Sequence, residues 1–372
     1  MKNILFLAPR LPLPADTGGK IRTVNILKQL AKVNKVHLLC FSFEKEDQEY
    51  VAEFKALGIQ VTMVAMPASS LIDKVIAVLL SPIPFSIAKY NVPSMRQTIN
   101  DLLKKQQFEA VHIDHLHMGI YRNCFASTPC FLDEHNVEYR ILERCADVET
   151  SWIKKWLYHN QARKMKVFET QQAKEFAGIF ACSADDQAIL NDLTKNQAPV
   201  HVIPNGVDTD FFSPAQSTAQ QENALVFTGS MDWLPNDDAI TYFCKEILPL
   251  VWQKDTALKL YVVGKNPSSS VKELSQRDSR VIVTGRVDDV RPFVERSKIF
   301  IVPLRVGGGT RLKILEAMAM GKAIVSTRIG AEGIECSDGV NIALADTPVD
   351  FTQKIIDLCK QPDNIQTMGQ EG

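Results

Sequence analysis

The chain has 372 residues, of which 45% are apolar and 23% are charged, and its formal net charge is −1. A chain of this length and apolar content can fill two domain cores. The near-neutral charge argues against a general nucleic-acid-binding protein, which needs a basic excess or a clustered basic face. The eight cysteines show neither a C-x-x-C pair nor a metal spacing with histidine, so they predict core residues in a reducing compartment rather than zinc ligands or disulfides.

Short apolar runs alternate with helical patterns, which is typical of parallel α/β sheets. In the first half, strands are predicted near 3–8, 35–41, 59–65, 109–114, 128–133, 178–182 and 200–203. In the second half, they are predicted near 224–228, 258–263, 280–284, 298–303 and 322–326. The periodicity breaks between Asn205 and Glu222, so we expect two doubly wound, Rossmann-like domains, 1–205 and 206–372, whose loops face one cleft.

Three residues near the start of the first predicted helix, Gly18, Gly19 and Arg22, are candidates for holding a phosphate or framing a sugar. A simple tight turn would use the two glycines equally well. His135 lies in a polar cluster directly after the strand near 128–133, where site residues of doubly wound folds are found. It is a candidate site residue, with a loop histidine bonded to the backbone as the alternative.

Two clusters raise the question of a metal. His115 lies past the strand near 109–114 with His112, His117 and Asp114, but the spacing matches no usual zinc arrangement. We predict loop residues on the acceptor side. The sequence 208–210, Asp-Thr-Asp, has the spacing of a D-x-D metal motif, yet it lies in a Pro-Asn-Gly-Val-Asp stretch typical of a turn. We expect Asp208 to cap that turn, and we predict no required metal.

The segment 307–316, Gly-Gly-Gly-Thr-Arg-Leu-Lys-Ile-Leu-Glu, predicts an anion site between a strand and a helix. The glycines Gly307, Gly308 and Gly309 allow backbone N–H groups to approach a ligand, and Thr310 is the expected N-cap. Arg311 and Lys313 add positive charge. Glu316 is expected on the packed face of the helix, where a ribose diol would satisfy its carboxylate. The alternative is a glycine turn before a buried helix with an i,i+3 ion pair.

The same segment lacks the Lys-Ser/Thr of a nucleotide-kinase P-loop and is not a G-x-G-x-x-G fingerprint. It resembles the donor-sugar signature of the GT-B glycosyltransferases, in particular the retaining family 4 group, also called group 1 glycosyl transferases. The stretches 202–208, 227–230 and 281–287 stand in the family's order and spacing. Residues 12–14 and 18–22 resemble its first glycine loop, so the resemblance covers nearly the whole chain.

The resemblance implies roles for the loops of the second domain. The backbone of Arg286 and Val287, after Gly285, would meet the base, and Gly229 and Ser230 would line the donor site. Glu316 would bind the ribose, the segment 307–313 the diphosphate, and His135 the transferred sugar. Two positions depart from the family: Gly308 replaces a common acidic residue, and 230–233 lacks a common Arg and Lys. We hypothesise that Arg311 and Lys313 supply the missing charge to the leaving diphosphate.

By resemblance, the function is transfer of a sugar from a nucleotide-diphosphate donor to a glycan or lipid-linked acceptor, with retention, in polysaccharide or glycoconjugate synthesis. This predicts a hexosyltransferase of the exopolysaccharide branch with no cofactor besides its co-substrate and no nucleic-acid partner. The alternatives are a nucleotide-sugar epimerase or phosphorylase on the same fold, and a catalytically silent nucleotide-sugar-binding subunit.

Two stretches of the sequence indicate where in the cell the protein acts. The sequence 152–166 places tryptophans beside lysines on one helix, a mixture suited to an anionic membrane surface, whereas aromatics packed inward are the alternative. The stretch 71–90 is apolar but interrupted by prolines, and an acceptor groove is its predicted use. We expect a cytoplasmic protein that contacts the inner face of the membrane. The end of the chain, 364–372, is expected to stop before the family's last crossover helix, which would weaken closure and transfer.

Overall fold

The fold was obtained as a computed structural model, which describes residues 1–43, 45–68, 78, 81–214 and 221–372. In the stretch 71–90 predicted to line an acceptor groove, positions 71–77, 79 and 80 therefore lie outside the described residues. The chain divides into two compact units, Met1–Pro204 and Asn205–Gly372. Each unit is an open parallel sheet with helices packed against it.

The first unit contains seven strands in the order β3-β2-β1-β4-β5-β6-β7. Their bounds are β1 Asn3–Ala8, β2 Lys35–Ser42, β3 Gln60–Ala65, β4 Ala110–Asp114, β5 Cys130–Glu134, β6 Gly178–Ala181 and β7 Val200–Val202. The central strands are almost wholly apolar because helices cover both faces of a parallel sheet. The sheet order places the ends of β1, β4 and β5 side by side at its centre.

The helices of the first unit connect consecutive strands. Their bounds are α1 Gly18–Val33, α2 Val51–Ala56, α3 Phe85–Ala88, α4 Pro93–Lys105, α5 Glu138–Val148, α6 Trp152–Ala173 and α7 Ala184–Thr194, with short 3₁₀ segments at Lys45–Gln48 and Leu116–Cys124. Each parallel pair of strands needs such a crossover, which returns the chain to the same edge of the sheet.

The second unit contains six strands in the order β10-β9-β8-β11-β12-β13. Their bounds are β8 Glu222–Thr228, β9 Lys259–Val263, β10 Val281–Gly285, β11 Ser297–Val302, β12 Ala323–Ser326 and β13 Ala343–Leu344. The helices are α8 Leu234–Tyr242, α9 Leu248–Trp252, α10 Ser269–Arg277, α11 Arg291–Arg296, α12 Leu312–Ala319, α13 Arg328–Ala331, α14 Pro348–Lys360 and α15 Pro362–Glu371, with a π-helical turn at Phe243–Ile247.

These two parallel sheets confirm the predicted α/β class and its pair of doubly wound units. The two-residue strand β13 was missed because it is too short to leave a periodic signal. All eight cysteines are free, and Cys40, Cys130, Cys145 and Cys182 are buried, as expected for core residues. In the described part of the chain, no helix combines the length and the apolar content that crossing a bilayer requires.

Candidate functional site

Asp114, the last residue of β4, is the centre of a buried polar network in the first unit. His135 donates from Nε2 to Asp114 Oδ1 at 2.8 Å, and Thr23 donates from Oγ1 to Oδ2 at 3.0 Å. His115 Nδ1 lies 3.1 Å from the same Oδ2. Burial alone would raise the pKa of Asp114, but His115 and His135 hold it well below its usual range. The carboxylate is therefore charged and occupied by its histidine neighbours.

The rings of His115 and His135 stack, with centroids 3.6 Å apart. His115 reaches this position with a φ of 67°, a left-handed conformation that is uncommon outside glycine. Above the pair lies Gly19, in the first turn of α1. A Cβ added to Gly19 would lie 3.2 Å from His115 Nε2 and 3.5 Å from His135 Nδ1. The glycine therefore leaves the ring nitrogens that face α1 accessible, and the structure brings together Gly18, Gly19, His115 and His135 as a group.

Arg22 lies near the same strand ends but pairs with Asp133 rather than with the histidines. Its guanidinium donates from Nη2 to Asp133 Oδ1 at 2.7 Å and from Nη1 to the Ile203 carbonyl at 2.7 Å. The side chain is 6% exposed. The expectation that Arg22 holds a phosphate is wrong for this geometry, because its donors are used inside the protein. Its role is to neutralise Asp133, a long-range pairing that the sequence spacing did not reveal.

Two of the histidines predicted in loops lie elsewhere. His112 is inside β4, buried, and stacks on Phe6 with ring centroids 4.2 Å apart. Its Nε2 lies 3.6 Å from Asp133 Oδ2. His117 lies in the 3₁₀ segment Leu116–Cys124, and burial lowers its pKa to about 3. Of the three histidines in this stretch, His115 is therefore the one that contacts His135 directly.

A buried pair of glutamates supports the segment around His135. Glu169 of α6 accepts hydrogen bonds from the backbone N–H groups of Glu138, at 2.8 Å, and Tyr139, at 3.2 Å. These are unpaired donors of the first turn of α5, so Glu169 acts as a cap from another helix. Burial and the adjacent Glu169 raise the pKa of Glu134 well above its usual range. Glu134 is therefore neutral beside the Glu169 cap. No local sequence pattern indicated this pairing.

The second unit gathers its candidate residues where the adjacent strands β8 and β11 end. Lys313 of α12 donates from Nζ to Asn236 Oδ1 at 2.9 Å and lies 4.0 Å from the Phe227 ring centroid. Asn236 donates in turn to the Ser230 carbonyl at 2.8 Å. A Cβ on Gly229 would lie 2.8 Å from Lys313 Nζ, so only glycine lets the lysine approach this loop. Asn236 was not among the residues predicted from the sequence, because its partner Lys313 is 77 positions away along the chain.

Lys313 is a charged group in an unfavourable environment. Burial, together with the charge of Arg311, lowers its pKa to about 7, while Glu316 opposes the shift. Among the described residues, no carboxylate forms an ion pair with Lys313. An amine held in this way gains stabilisation from a bound anion. Lys313 is therefore the strongest candidate for a diphosphate contact.

Arg311 is bound within its own loop. Its guanidinium donates to the carbonyls of Gly308 and Gly309, and to the Ile329 carbonyl at 3.3 Å. Arg311 also occupies the N-cap position of α12, so the prediction that Thr310 is the N-cap is wrong. The loop is thus closed by the arginine, and the helix begins at Leu312, one residue later than a Thr310 N-cap implies.

Glu316 lies on a half-buried face of α12. The core-facing residues of this helix are Ile314, Ala317 and Met318, so the prediction that Glu316 shares the packed face is wrong by part of a turn. Burial nevertheless raises its pKa, which Lys313 partly opposes. Its position at the rim of the core leaves the carboxylate able to accept hydrogen bonds from a ligand.

The remaining donor candidates lie at the end of β10. Gly285 accepts a backbone hydrogen bond from Gly264 at 3.2 Å, which links the ends of β9 and β10. Arg286 is exposed and Val287 is half-buried. In the sheet order, β9 separates this loop from the Gly229 loop. The base position implied by the resemblance is therefore two strands away from Lys313.

Two parts of the described chain were considered as metal sites, the Asp208 turn and the buried acids and histidines around Asp114. Asp208 accepts from the backbone N–H groups of Asp210 and Phe211 at 3.1 and 3.0 Å, which confirms the expected turn. Separately, ligand atoms of Asp114, His115 and His135 lie within 4.8 Å of one another, as do those of His112, Asp114 and Asp133. In the first set His135 donates to Asp114, whereas in the second set His112 Nε2 lies 3.6 Å from Asp133 Oδ2 without a hydrogen-bond partner among the described residues. The prediction of metal-independent activity stays a prediction.

An apolar surface lies at the start of α6. Trp152 is 79% exposed and Trp156 is 56% exposed, so these aromatics do not pack inward. Beside them is a cavity of about 320 Å³ whose described lining includes Phe85, Leu157 and Tyr158. Exposed tryptophans next to lysines are typical of membrane-surface contacts.

Comparisons with known proteins agree with this description. The family described as Glycosyltransferase Family 4 matches residues 17–211, and that described as Glycosyl transferases group 1 matches residues 222–361. The chain superposes on sucrose-phosphate synthase from Thermosynechococcus elongatus with a TM-score of 0.75 at 14% identity, covering 100% of this chain and 93% of the other. The TM-score is 0.71 for the Anabaena protein HepE in complex with UDP and glucose, at 14% identity and the same coverage. These likenesses show the fold.

Curated relatives match in shorter segments. A galactosyltransferase of Escherichia coli, named UDP-Gal:alpha-D-GlcNAc-diphosphoundecaprenol alpha-1,3-galactosyltransferase, is 24% identical over 61% of this chain and 60% of its own length. The MMP alpha-(1->4)-mannosyltransferase of Mycolicibacterium hassiacum is 26% identical over 54% of this chain and 49% of its own length. An uncharacterized 44.6 kDa protein in the cps region of Klebsiella pneumoniae is 26% identical over 37% of each chain.

Proposed function

We propose that this chain, which belongs to glycosyltransferase family 4 and has the GT-B fold, transfers a sugar from a nucleoside diphosphate donor to a hydroxyl group of an acceptor. The observation that carries the proposal is the position of Lys313. Its amine lies between the Gly229 loop and Asn236, close to a glycine-rich loop and a half-buried carboxylate. A cation, a glycine-rich loop before a helix and a carboxylate fit a diphosphate and a ribose diol.

The reaction breaks the bond between the anomeric carbon and the diphosphate oxygen, and the electron pair leaves with that oxygen. The acceptor oxygen forms the new bond to the anomeric carbon, and its proton ends on the departing diphosphate. Lys313 and the backbone N–H groups of the glycine loop stabilise the negative charge that develops on the diphosphate. Arg311 contributes by fixing that loop. Retention of configuration is what family membership implies.

His135 contributes from the first unit by binding the transferred sugar. Its Nε2 donates to Asp114, which leaves Nδ1 as the acceptor on the side that faces Gly19. An imidazole whose Nε2 carries the proton offers Nδ1 as a hydrogen-bond acceptor to a sugar hydroxyl. Gly18, Gly19 and His115 frame the same space. We therefore keep these three as the acceptor-side residues predicted from the sequence, whereas Arg22 acts by neutralising Asp133.

The acceptor is proposed to be a glycan or lipid-linked saccharide, used in polysaccharide or glycoconjugate synthesis at the cytoplasmic face of a membrane. The exposed Trp152 and Trp156, with Lys154 and Lys155 between and beside them, support peripheral contact with an anionic surface. The Escherichia coli relative, whose name includes a diphosphoundecaprenol-linked acceptor, supports the same proposal.

The decisive experiment measures nucleoside diphosphate release. We first identify the donor by thermal shift across nucleotide sugars, since a bound ligand raises stability in proportion to affinity and concentration. Release that requires an acceptor supports transfer. Release without an acceptor points to hydrolysis or epimerisation instead, and tight binding with no turnover points to a silent binding subunit.

Replacing Glu316 with alanine tests the ribose contact. We expect the chain to stay folded, because Glu316 lies outside the core-facing set of α12. Donor binding should weaken by about 1–3 kcal/mol, the scale of a lost hydrogen bond to a charged group. Calorimetry with UDP measures the change, and Glu273→Ala on the exposed face of α10 is the control. Equal UDP affinity in the folded variant would remove Glu316 from the donor site.

Chelation tests the proposed independence from metal. EDTA should leave the transfer rate unchanged, because Lys313 and backbone N–H groups supply the positive charge at the diphosphate. The ligand atoms of Asp114, His115 and His135 within 4.8 Å make this a necessary control. Loss of activity with EDTA, restored by added Mn²⁺, would contradict the proposal.

A further inference from the structure

A row of rings leads away from His135 along the carboxyl edge of the first unit. The ring centroids are 3.6 Å apart between His135 and His115, 6.4 Å between His115 and His117, and 5.7 Å between His117 and Tyr90. Tyr90 is buried and follows α3. The row therefore connects the proposed sugar-binding histidine to a second location on the same edge, which the proposed function does not use.

Two cations stand at the far end of this row. Lys89 Nζ lies 4.8 Å from the Tyr90 ring centroid, and Arg10 Cζ lies 5.1 Å from the Phe43 ring centroid. Arg10 and Phe43 follow the central strands β1 and β2. Both residues are exposed overall, although the Lys89 amine is partly desolvated against the Tyr90 ring, and within the described ranges neither forms an ion pair with a carboxylate. These are groups that a ligand can reach.

Among the residues that the structure describes, no carboxylate pairs with the two cations at this location. Burial, then the charge of Arg10, lowers the pKa of Lys89, while Glu138 opposes the shift. Arg10 also acts on Tyr90 through a hydrogen bond and its charge. Burial raises the pKa of Glu138 itself, so it is a weak counter-ion. An anion placed between Arg10 and Lys89 would relieve the repulsion between them.

Two described acids of this edge, Asp114 and Asp133, are already engaged. Asp114 is held by its two histidines and Thr23, and Asp133 by Arg22. A carboxylate ligand would leave one of the two cations uncompensated. A phosphate or diphosphate ester carries about two negative charges and several acceptor oxygens, which match two cations and the nearby tyrosine.

We propose that Arg10 and Lys89 form a binding site for a phosphate or diphosphate group of the acceptor, adjacent to the hydroxyl that receives the sugar. The inference rests on the proposed function, because it places this anion next to the proposed sugar site at His135. It defines the acceptor as an anionic phosphoester rather than a neutral glycan. The phosphate of an anionic lipid headgroup has the same chemistry, and the experiment separates the two sources.

The test is a titration of the full chain with inorganic pyrophosphate after the donor site has been saturated with UDP. Calorimetry should detect a further binding event, and the Arg10→Ala/Lys89→Ala double variant should weaken it at least tenfold while UDP affinity stays the same. The control is Lys28→Ala/Lys105→Ala, which removes the same charge from exposed helix positions of the first unit. It should leave pyrophosphate binding unchanged.

Sedimentation with phosphatidylglycerol vesicles provides the second arm. Wild type and the Arg10/Lys89 variant should bind vesicles equally if the site serves the acceptor. Selective loss of vesicle binding by that variant, without a pyrophosphate event, would assign the cations to a lipid surface and overturn the inference. Equal pyrophosphate affinity in the variant and wild type would also overturn it. A chain that binds pyrophosphate here but no UDP would contradict the proposed function and leave this site standing.

Discussion

Replacing Lys313 with methionine is expected to lower kcat/KM by about 100- to 1000-fold, the usual loss when one preorganised donor to a developing anion is removed. The amine lies 2.9 Å from Asn236 Oδ1 and next to the Gly229 loop, so no other side chain can take its place without moving the backbone. Methionine keeps the length and volume of the stem against Phe227, so the fold should be retained. The control is Lys272→Met, an exposed lysine of α10.

Protonation of the Lys313 amine on UDP binding should also be measurable. Burial lowers the pKa of Lys313 to about 7, so its amine is largely neutral in the free chain at pH 8. A bound diphosphate favours the ammonium form and raises that pKa, so UDP binding at pH 8 should take up a proton. Calorimetry in two buffers of different ionisation enthalpy measures this uptake. The signal should disappear in Lys313→Met and fade below pH 6, where the amine is already protonated.

Two results would contradict this role. One is a folded Lys313→Met variant with near-wild-type turnover, which would place the charge that stabilises the diphosphate elsewhere. The other is an unchanged proton uptake in that variant, which would assign the titration to another group. The Arg311→Ala variant does not test the charge at the diphosphate alone. The Arg311 guanidinium donates to carbonyls of the glycine loop, so its loss would lower activity by changing the conformation of that loop.

Much of the fold follows from local patterns. The strands were predicted in the correct order because each is an apolar run bounded by turn residues, and both sheets are covered by helices. The glycine loop that we propose binds the diphosphate was predicted because glycines between a strand and a helix have few other uses. The Asp208 turn was also predicted correctly, since an aspartate side chain satisfies backbone N–H groups two and three residues later.

The errors arise where the outcome depends on distant groups. The N-cap of α12 is Arg311 rather than the predicted Thr310, because the Arg311 guanidinium, and not a hydroxyl, closes the loop. Arg22 was assigned to a ligand because its partner Asp133 is 111 positions away in sequence. Asn236 reaches Lys313 across 77 positions. No local pattern encodes such pairs, and only the sheet order brings them together.

Replacing Asp114 with asparagine is expected to lower kcat by about 10- to 100-fold, the scale for losing a hydrogen-bond partner that orients a functional histidine. Asp114 is a positioning residue, because it acts on the sugar through His135, 2.8 Å away. Its carboxylate can only accept, which places the proton on Nε2 and makes Nδ1, on the Gly19 side, the acceptor nitrogen. An amide accepts or donates equally well, so the ring should populate both tautomers. UDP affinity should be unchanged because the proposed donor residues belong to the second unit.

The ¹⁵N spectrum of histidine-labelled full chain separates orientation from a general loss of structure. His135 should show one Nε2–H tautomer in wild type and a mixture in Asp114→Asn, while Asp101→Asn, on exposed α4, should match wild type. Gly19→Ala is the complementary variant, since its methyl lies 3.5 Å from Nδ1 and should lower kcat without changing the tautomer. A single tautomer in Asp114→Asn would overturn the positioning role. A mixture with unchanged kcat would instead remove His135 from the reaction, because the orientation that Asp114 imposes would then have no consequence for transfer.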